Sequence, residues 1–270
     1  MRTSIATARR VVLFGLLIAI AASLAGCDLM TARSPSPRPS RIVATPEPEP
    51  SPTATEIDEV PTLRPDPSGS GPDLVGAANA LADLDSYRVT VDSRGLVPAT
   101  TANGSVTMTS TLIQGPEPAA QFRMTGVDGF VGGRLEAIVI GDQAWLKEGA
   151  GGWAKSPGGA ADFDAAFTTL SPIELVGEFE GLGGAIRRTA TETRNGRRSI
   201  HYHADAGDAI AEQAGLSKGT VDAWFAASGG YLVAFVLDGT WDLGGAPTPV
   251  VLRIDVTRVN DRANRVVAPG

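Results

Sequence analysis

The clearest indication of the fold is the apolar run Tyr231-Leu232-Val233-Ala234-Phe235-Val236-Leu237, which has the length of one β-strand. Val250-Val251-Leu252 and Ile138-Val139-Ile140 are apolar in the same uninterrupted way. A strand of an antiparallel sheet normally alternates apolar and polar residues, because one face of the sheet is wet. These runs therefore predict a sheet with both faces covered by protein, or with one face lining a cavity. Periodicity alone leaves both interpretations open.

The strands predicted elsewhere in the chain alternate with a period of two, which is typical of half-buried strands. The alternating apolar residues are Tyr87, Val89 and Val91, then Val106, Met108 and Leu112, then Phe122 and Met124. Asn195-Gly196 separates two further strand-like runs, 184–194 and 197–204. This dipeptide is a strong hairpin signal, because both residues accept a positive φ.

Two short helices are predicted between the strands. Asp73 is a candidate N-cap for a helix over 73–84, where the apolar residues fall on one face. Ser171 is a candidate N-cap for a second helix that begins at Pro172 and stops at Gly181. Because most strands follow one another through short turns, the sequence predicts an α+β fold with a largely antiparallel sheet and a few helices on one side.

The first 26 residues have the features of a lipoprotein signal peptide. Three arginines precede an apolar segment, 11–22, that is too short to span a membrane. Leu24-Ala25-Gly26-Cys27 follows, with small residues before the only cysteine of the chain. We therefore predict cleavage after residue 26 and a diacylglycerol attached covalently to the Cys27 thiol. Arg9-Arg10 leaves a twin-arginine export signal open, although its flanking residues match that motif poorly.

Composition divides the rest of the chain into a tether and a domain. Residues 27–72, rich in Pro, Ser and Glu, have too few apolar side chains to form a core, so they are predicted to be a disordered tether. Residues 73–270 are predicted to form the folded domain, which lacks disulfides and depends on a hydrophobic core.

Net charge separates the possible partners of the chain. The formal charge is −7, and it becomes −10 when residues 1–26, which carry three arginines and no acid, are removed. An acidic protein is repelled by nucleic acid, so no nucleic-acid partner is expected. The acyl chains on Cys27 must supply the membrane affinity, which predicts a lipid-anchored protein on the extracytoplasmic face of the cell membrane.

Several segments resemble the mycobacterial LppX/LprG-type lipoproteins, which share the fold of the LolA carrier. They are Ala-Leu-Ala-Asp-Leu-Asp-Ser-Tyr-Arg at 80–88, Ile-Gly-Asp-Gln-Ala-Trp-Leu at 140–146 with Gly-Trp at 152–153, Thr-Val-Asp-Ala-Trp-Phe at 220–225 with Gly-Gly-Tyr-Leu at 229–232, and Val-Asn-Asp at 259–261. The resemblance covers residues 73–268 and the lipobox. It implies a curved half-barrel sheet with helices covering its concave side, an apolar cavity for acyl chains, and carriage of lipid or lipoglycan within the cell envelope.

A cavity of this kind would be lined by apolar side chains of the strands and of the second helix. Met and Phe suit a variable cargo, because they adapt in shape. The predicted lining residues are Met108, Phe122, Met124, Ile138, Ile140, Leu175, Phe179, Phe235, Leu237, Leu252 and Ile254. The alternative for each of them is ordinary core packing.

The predicted partners are the membrane, through the lipid anchor, and a lipid or lipoglycan cargo of two or three acyl chains. The chain is expected to be a monomer without a bound cofactor, and an envelope transporter is left open as a further partner. The alternative function is an envelope protein-interaction module with a fully packed core and no lipid cargo. An enzyme is not predicted, since no Gly-x-Ser-x-Gly motif is present and the only cysteine is acylated.

Two clusters of polar residues are predicted to have no ligand. His201 and His203 share a strand face, but no further metal ligand is adjacent in sequence, so we predict no metal site and two surface histidines. A solvated strand face is favoured over contact with a lipid headgroup for the basic cluster Arg187, Arg188, Arg194, Arg197 and Arg198.

Overall fold

The computed structural model describes residues 72–95, 104–126, 131–163, 171–177, 186–205, 216–241 and 247–270. The predicted signal peptide, Cys27, the predicted tether and Phe179 lie outside the described residues. Neither helix within the described ranges has the length and hydropathy needed to cross a membrane.

Two short helices begin at the predicted N-caps. Helix α1 (Leu74–Asn79) is capped by the Asp73 carboxylate, which accepts a hydrogen bond from the Gly76 amide at 2.7 Å. A 3-10 turn over Ala80–Asp83 continues it, so the last turn of the predicted helix is tighter than an α-helix. Helix α2 (Pro172–Gly177) follows Ser171, whose hydroxyl accepts from the Glu174 amide at 3.2 Å. Both predicted N-caps are confirmed.

In the described part of the chain, eleven strands form a single sheet in which every neighbouring pair is antiparallel. The strands are β1 (Ser86–Arg94), β2 (Ser105–Ile113), β3 (Ala119–Thr125), β4 (Arg134–Ile140), β5 (Gln143–Glu148), β6 (Ala154–Lys155), β7 (Arg187–Arg194), β8 (Arg197–Asp205), β9 (Leu216–Ala226), β10 (Leu232–Trp241) and β11 (Thr248–Thr257). Short 3-10 turns lie at Val131–Gly133 and Gly159–Asp162. The spatial order is β6-β5-β4-β3-β2-β1-β11-β10-β9-β8-β7, so the sheet does not close into a barrel. The predicted α+β class, with an open half-barrel sheet, is confirmed.

The strand register assigns each side chain to one face, because directly paired residues in an antiparallel sheet point the same way. Val91 on β1 is paired with Met108 on β2 and with Ile254 on β11. Met108 is in turn paired with Met124, and Ile254 with Phe235. We call this side the helix face, since the helices pack on it, and the other side the opposite face.

The strand that contains most of the apolar run 231–237 is covered on both sides. On the helix face Phe235 and Leu237 are fully buried, and α1 packs against β10. On the opposite face Ala234 is paired with Trp224 of β9 and is also fully buried. The uninterrupted apolar pattern of β10 therefore reports packing on two faces, which is one of the two interpretations that the sequence left open.

The tip of the β7–β8 hairpin provides part of that cover. Asn195 has φ of 51° and Gly196 has φ of 75°, as a two-residue hairpin turn with positive φ requires. The Asn195 side-chain amide donates to the carbonyl oxygens of Val233 and Val256 at 3.1 and 3.2 Å. These bonds hold the hairpin tip against β10 and β11.

The residues after β11 attach the end of the chain to its first strand. The Asn260 amide donates to the Ser86 carbonyl oxygen at 2.8 Å, and the Ser86 amide donates to the Asn260 side chain at 3.2 Å. Asn264 is buried and donates from its side chain to the Ser86 hydroxyl at 3.0 Å. The motif at 259–261, on which part of the family resemblance rests, therefore has a structural role.

Two valines test how far stability depends on the helix face. Val256 on β11 is 1 % exposed and Val267 is 69 % exposed. We expect Val256→Ala to lower the free energy of unfolding by about 2 kcal/mol, because buried methyl groups are lost and a cavity remains. Urea denaturation of both variants checks this, with Val267→Ala as the matched control. Equal losses in the two variants would contradict the described packing.

Candidate functional site: an apolar cavity beside the second helix

A cavity of about 160 Å³ lies on the helix face, between strands β1 to β3 and the start of α2. Its lining consists of Tyr87, Val89, Met108, Ser110, Leu112, Ala120, Phe122, Ser171, Pro172 and Ile173. None of these side chains is a carboxylate, an amine or a guanidinium. The described lining therefore suits an apolar ligand and supplies no charged group for acid–base chemistry.

Two small residues in the sheet explain why space remains here. Ser110 on β2 is paired with Val89 on one side and with Phe122 on the other. Ala120 on β3 is paired with Leu112 of β2 and is likewise on the helix face. Because the neighbouring side chains are bulky and these two are short, the cavity is deepest over Ser110 and Ala120.

Three hydroxyl groups interrupt the apolar lining, those of Tyr87, Ser110 and Ser171. Burial raises the pKa of the Tyr87 phenol above its ordinary value, and a hydrogen bond with Gln114 opposes this only in part. The phenol is therefore protonated and uncharged at neutral pH. The hydroxyls can form hydrogen bonds with a ligand without placing a charge in the cavity.

The volume limits what the described cavity can hold. An apolar cavity of about 150 Å³ in a protein stays dry and accommodates a molecule the size of benzene, on the order of six carbon atoms. The space seen here is thus suited to a segment of one acyl chain. It is too small for the two or three complete chains expected from the sequence.

The structure brings some of the predicted lining residues to this cavity. Met108 and Phe122 line it directly. Met124 is buried on the helix face and is paired with Met108, although it does not line the cavity. Leu175 is half-buried on α2, the helix whose first residues form one wall.

Other predicted lining residues belong to the packed core. They lie on the helix face at most 3 % exposed and do not line the cavity: Phe235, Leu237, Leu252 and Ile254. The sequence could not separate these residues from the true lining, because both sets are apolar and share one face. The difference arises from the position of α1, which packs against β10 and α2.

The prediction for Ile138 and Ile140 is wrong. These residues are paired with Gln121 and Ala119 of β3, which point to the opposite face, whereas Phe122 is paired with Ala137 on the helix face. The run 138–140 is apolar on both sides, so its pattern did not reveal which residues face the helices. Ile138 is buried on the opposite face and Ile140 is half-buried there.

Several residues that line the cavity were not predicted from the sequence. Val89 and Leu112 share the alternation that predicted Met108, so their strand pattern already carried a usable signal. Ser110 and Ala120 gave no such signal, because they line the cavity through their small size. Only the register shows that they lie between large neighbours.

The chain has only low sequence identity to the known proteins that it resembles in structure. No protein-family profile and no curated protein matches the sequence. Among solved structures, LprF from Mycobacterium bovis has 14 % identity and a TM-score of 0.43, and the match covers 76 % of this chain and 98 % of that chain. The lipoprotein LppX from Mycobacterium tuberculosis has 16 % identity and a TM-score of 0.39, with 71 % and 97 % covered. MucB, solved in complex with MucA, has 13 % identity and a TM-score of 0.31, with 73 % and 56 % covered.

One of these matches, LppX, gives its name to the family that the sequence motifs resemble. Their identities and TM-scores are too low to transfer a ligand or a partner to this chain. Any functional assignment must therefore come from the geometry of the cavity.

A second polar cluster lies on the opposite face. His201 Nε2 and His203 Nδ1 both lie 2.8 Å from the same carboxylate oxygen of Asp222, and the His201 ring stacks on Trp224 at 4.4 Å between centroids. The two histidines are therefore half-buried and share one carboxylate, whereas the sequence predicted two surface histidines. Within the described ranges, no group of three or more histidine, cysteine or acidic side chains is arranged to hold a metal ion.

The pKa of His203 is raised, first by its hydrogen bond to Asp222 and further by the Asp222 charge, while burial opposes the shift. A histidine whose pKa is raised by folding stabilises the fold fully below its ordinary value of about 6.5, and this contribution is lost as the pH rises through the folded pKa.

Asp222→Asn is expected to lower the pKa of His203, because the charged hydrogen-bond acceptor is removed. Titration of the imidazole resonances by NMR measures the change. Asp238→Asn is the matched control, since Asp238 is exposed on the neighbouring strand β10. A His203 pKa that is the same in all three proteins would contradict the proposed role of Asp222.

Proposed function

We propose that the chain is a lipid-anchored envelope protein that binds acyl chains of a lipid or lipoglycan and carries them within the envelope, without a catalytic step. The observation that supports this most directly is the uncharged apolar cavity floored by Ser110 and Ala120. Because the helix that covers the cavity, α2, is short, a hydrocarbon tail would be able to enter the cavity beside it. The proposed anchor is a diacylglycerol on Cys27, which would hold a monomeric domain at the extracytoplasmic face of the membrane.

The energetics of such a cavity fit a carrier. Each buried methylene contributes about 0.8 kcal/mol, so a segment of about six carbons contributes roughly 5 kcal/mol. This figure is an upper limit on the affinity of the segment alone, because association also costs translational and rotational freedom. Binding of this strength favours exchange, which a carrier needs at both the donor and the acceptor.

The second candidate is an envelope protein-interaction module without lipid cargo. It is favoured by the dense packing of β10 and β11, where Phe235 and Ile254 are fully buried and do not line the described cavity. The two candidates differ in one property, which is whether the cavity on β1 to β3 is occupied by lipid in the native protein.

A pair of adjacent substitutions on β2 tests the cavity. Ser110→Leu places a larger side chain on its floor, whereas Thr109→Leu places the same side chain on the opposite face, where Thr109 is exposed. We expect Ser110→Leu to weaken uptake of a fluorescent fatty acid by about 50-fold, because room for about three methylenes is lost. Thr109→Leu should bind like the wild type.

Circular dichroism of both variants controls for unfolding. Native mass spectrometry of the wild-type chain purified from its host provides a second measurement. Bound lipid masses that are absent from Ser110→Leu would support the carrier. A ligand-free wild type that takes up no fatty acid would favour the interaction module.

A further inference from the structure

A basic patch covers the opposite face of strands β3 to β6. We define it as Arg123, Arg134, Lys147 and Lys155, which surround one acidic residue, Glu136. Glu136 is only 4 % exposed. The four cations lie on consecutive strands and on the same side of the sheet, so they form one continuous surface.

Glu136 gathers three of these cations around its carboxylate. Arg123 approaches one carboxylate oxygen at 3.0 Å, while Arg134 and Lys147 approach the other at 2.5 and 3.7 Å. Burial alone would raise the pKa of Glu136, but the hydrogen bonds and charges of Arg123 and Arg134 outweigh it and hold the pKa below its usual value. The carboxylate is therefore ionised and fixes the position of the cations.

The charges in this patch do not cancel. One carboxylate faces three cations, which leaves two positive charges uncompensated within the cluster, and Lys155 adds a third. Arg123 and Arg134 remain 53 and 40 % exposed in their side chains, so a partner can reach them. Because the chain as a whole has a net charge of −7, this surface differs in sign from the whole chain.

Two tryptophans accompany the cations. The Lys147 ammonium lies 5.8 Å from the Trp153 ring centre, and the Lys155 ammonium lies 5.9 Å from that of Trp145. Both tryptophans are half-buried. Tryptophan beside lysine and arginine is the combination enriched where proteins meet lipid headgroups.

We propose that the basic patch docks on the anionic headgroups of the bilayer that anchors the chain, and so orients the domain with its cavity turned away from that bilayer. The inference rests on the proposed function for its anchor. The orientation follows from β3, where the consecutive residues Phe122 and Arg123 point to opposite faces of the sheet. A domain docked in this way presents its cavity to an acceptor on the outer side.

The attraction between the basic patch and an anionic bilayer is strong enough to orient a chain that is already anchored. Each basic residue near an anionic surface favours the docked state by about five-fold, so three uncompensated charges favour it by roughly 150-fold. This is too little to recruit an acidic protein from dilute solution. It is enough to orient a domain that a tether already holds at the membrane, where the local concentration of surface is high.

A single engineered thiol can report the docking. Since Cys27 is the only cysteine and is acylated in the proposal, Thr125→Cys supplies the one free thiol, on the exposed end of β3 beside Arg123. Ala82→Cys, exposed on the turn after α1, is the control position. Each acylated full-length chain carries a fluorophore on this thiol and is reconstituted in vesicles. The vesicles consist of phosphatidylcholine alone, or of phosphatidylcholine and phosphatidylglycerol in equal parts. A spin label bound to the lipid headgroups acts as the quencher.

We expect quenching at position 125, but not at 82, only in the anionic vesicles. In 1 M salt, where the screening length is about 3 Å, this quenching should disappear. Arg123→Gln with Lys147→Gln should lower the docked population by about 30-fold. Arg198→Gln with Lys218→Gln removes the same charge from exposed positions outside the patch and should leave quenching unchanged.

The possible failures are distinguishable. A chain that remains in the aqueous phase overturns the lipid anchor, and the docking with it. An anchored chain whose position 125 is quenched equally in both lipids, or in neither, overturns the docking alone. A fluorophore at 125 that is shielded before vesicles are added would show that protein covers the patch, which also overturns the docking.

Discussion

Every feature of the described residues follows from the register of their eleven antiparallel strands in one open sheet. Each pairing fixes the face to which a residue points, and a shift of one residue would exchange the two faces. The helix face thereby receives a nearly continuous apolar surface, whereas the opposite face receives the histidines around Asp222 and the cations around Glu136. The cavity and the basic patch are two consequences of the same alternation along β3.

The difference between a filled core and a cavity arises within a single face. Under α1, large side chains such as Phe235 and Leu237 pack to complete burial. Beside α2, the short side chains of Ser110 and Ala120 leave room that no described side chain fills. Two small side chains are thus enough to leave a cavity in part of an ordinary sheet–helix interface, with no charged group in its described lining.

The sequence predicted the elements that local chemistry controls. The caps at Asp73 and Ser171, the Asn195-Gly196 hairpin and the period-two strands of β1 to β3 each depend on a few neighbouring residues. Assignments that depend on the register could not be made. Ile138 was placed on the wrong face because its strand is apolar on both sides, and Ser110 was missed because its contribution is the space beside it.

An acyl-chain carrier requires that hydrocarbon occupies the space between β2, β3 and α2. Photocrosslinking with a diazirine-bearing fatty acid, followed by peptide mapping, addresses it most directly. We expect label on peptides containing Leu112, Phe122 and Ile173 in the folded full-length chain. Label confined to the opposite face, or no label competed by unmodified fatty acid, would contradict it.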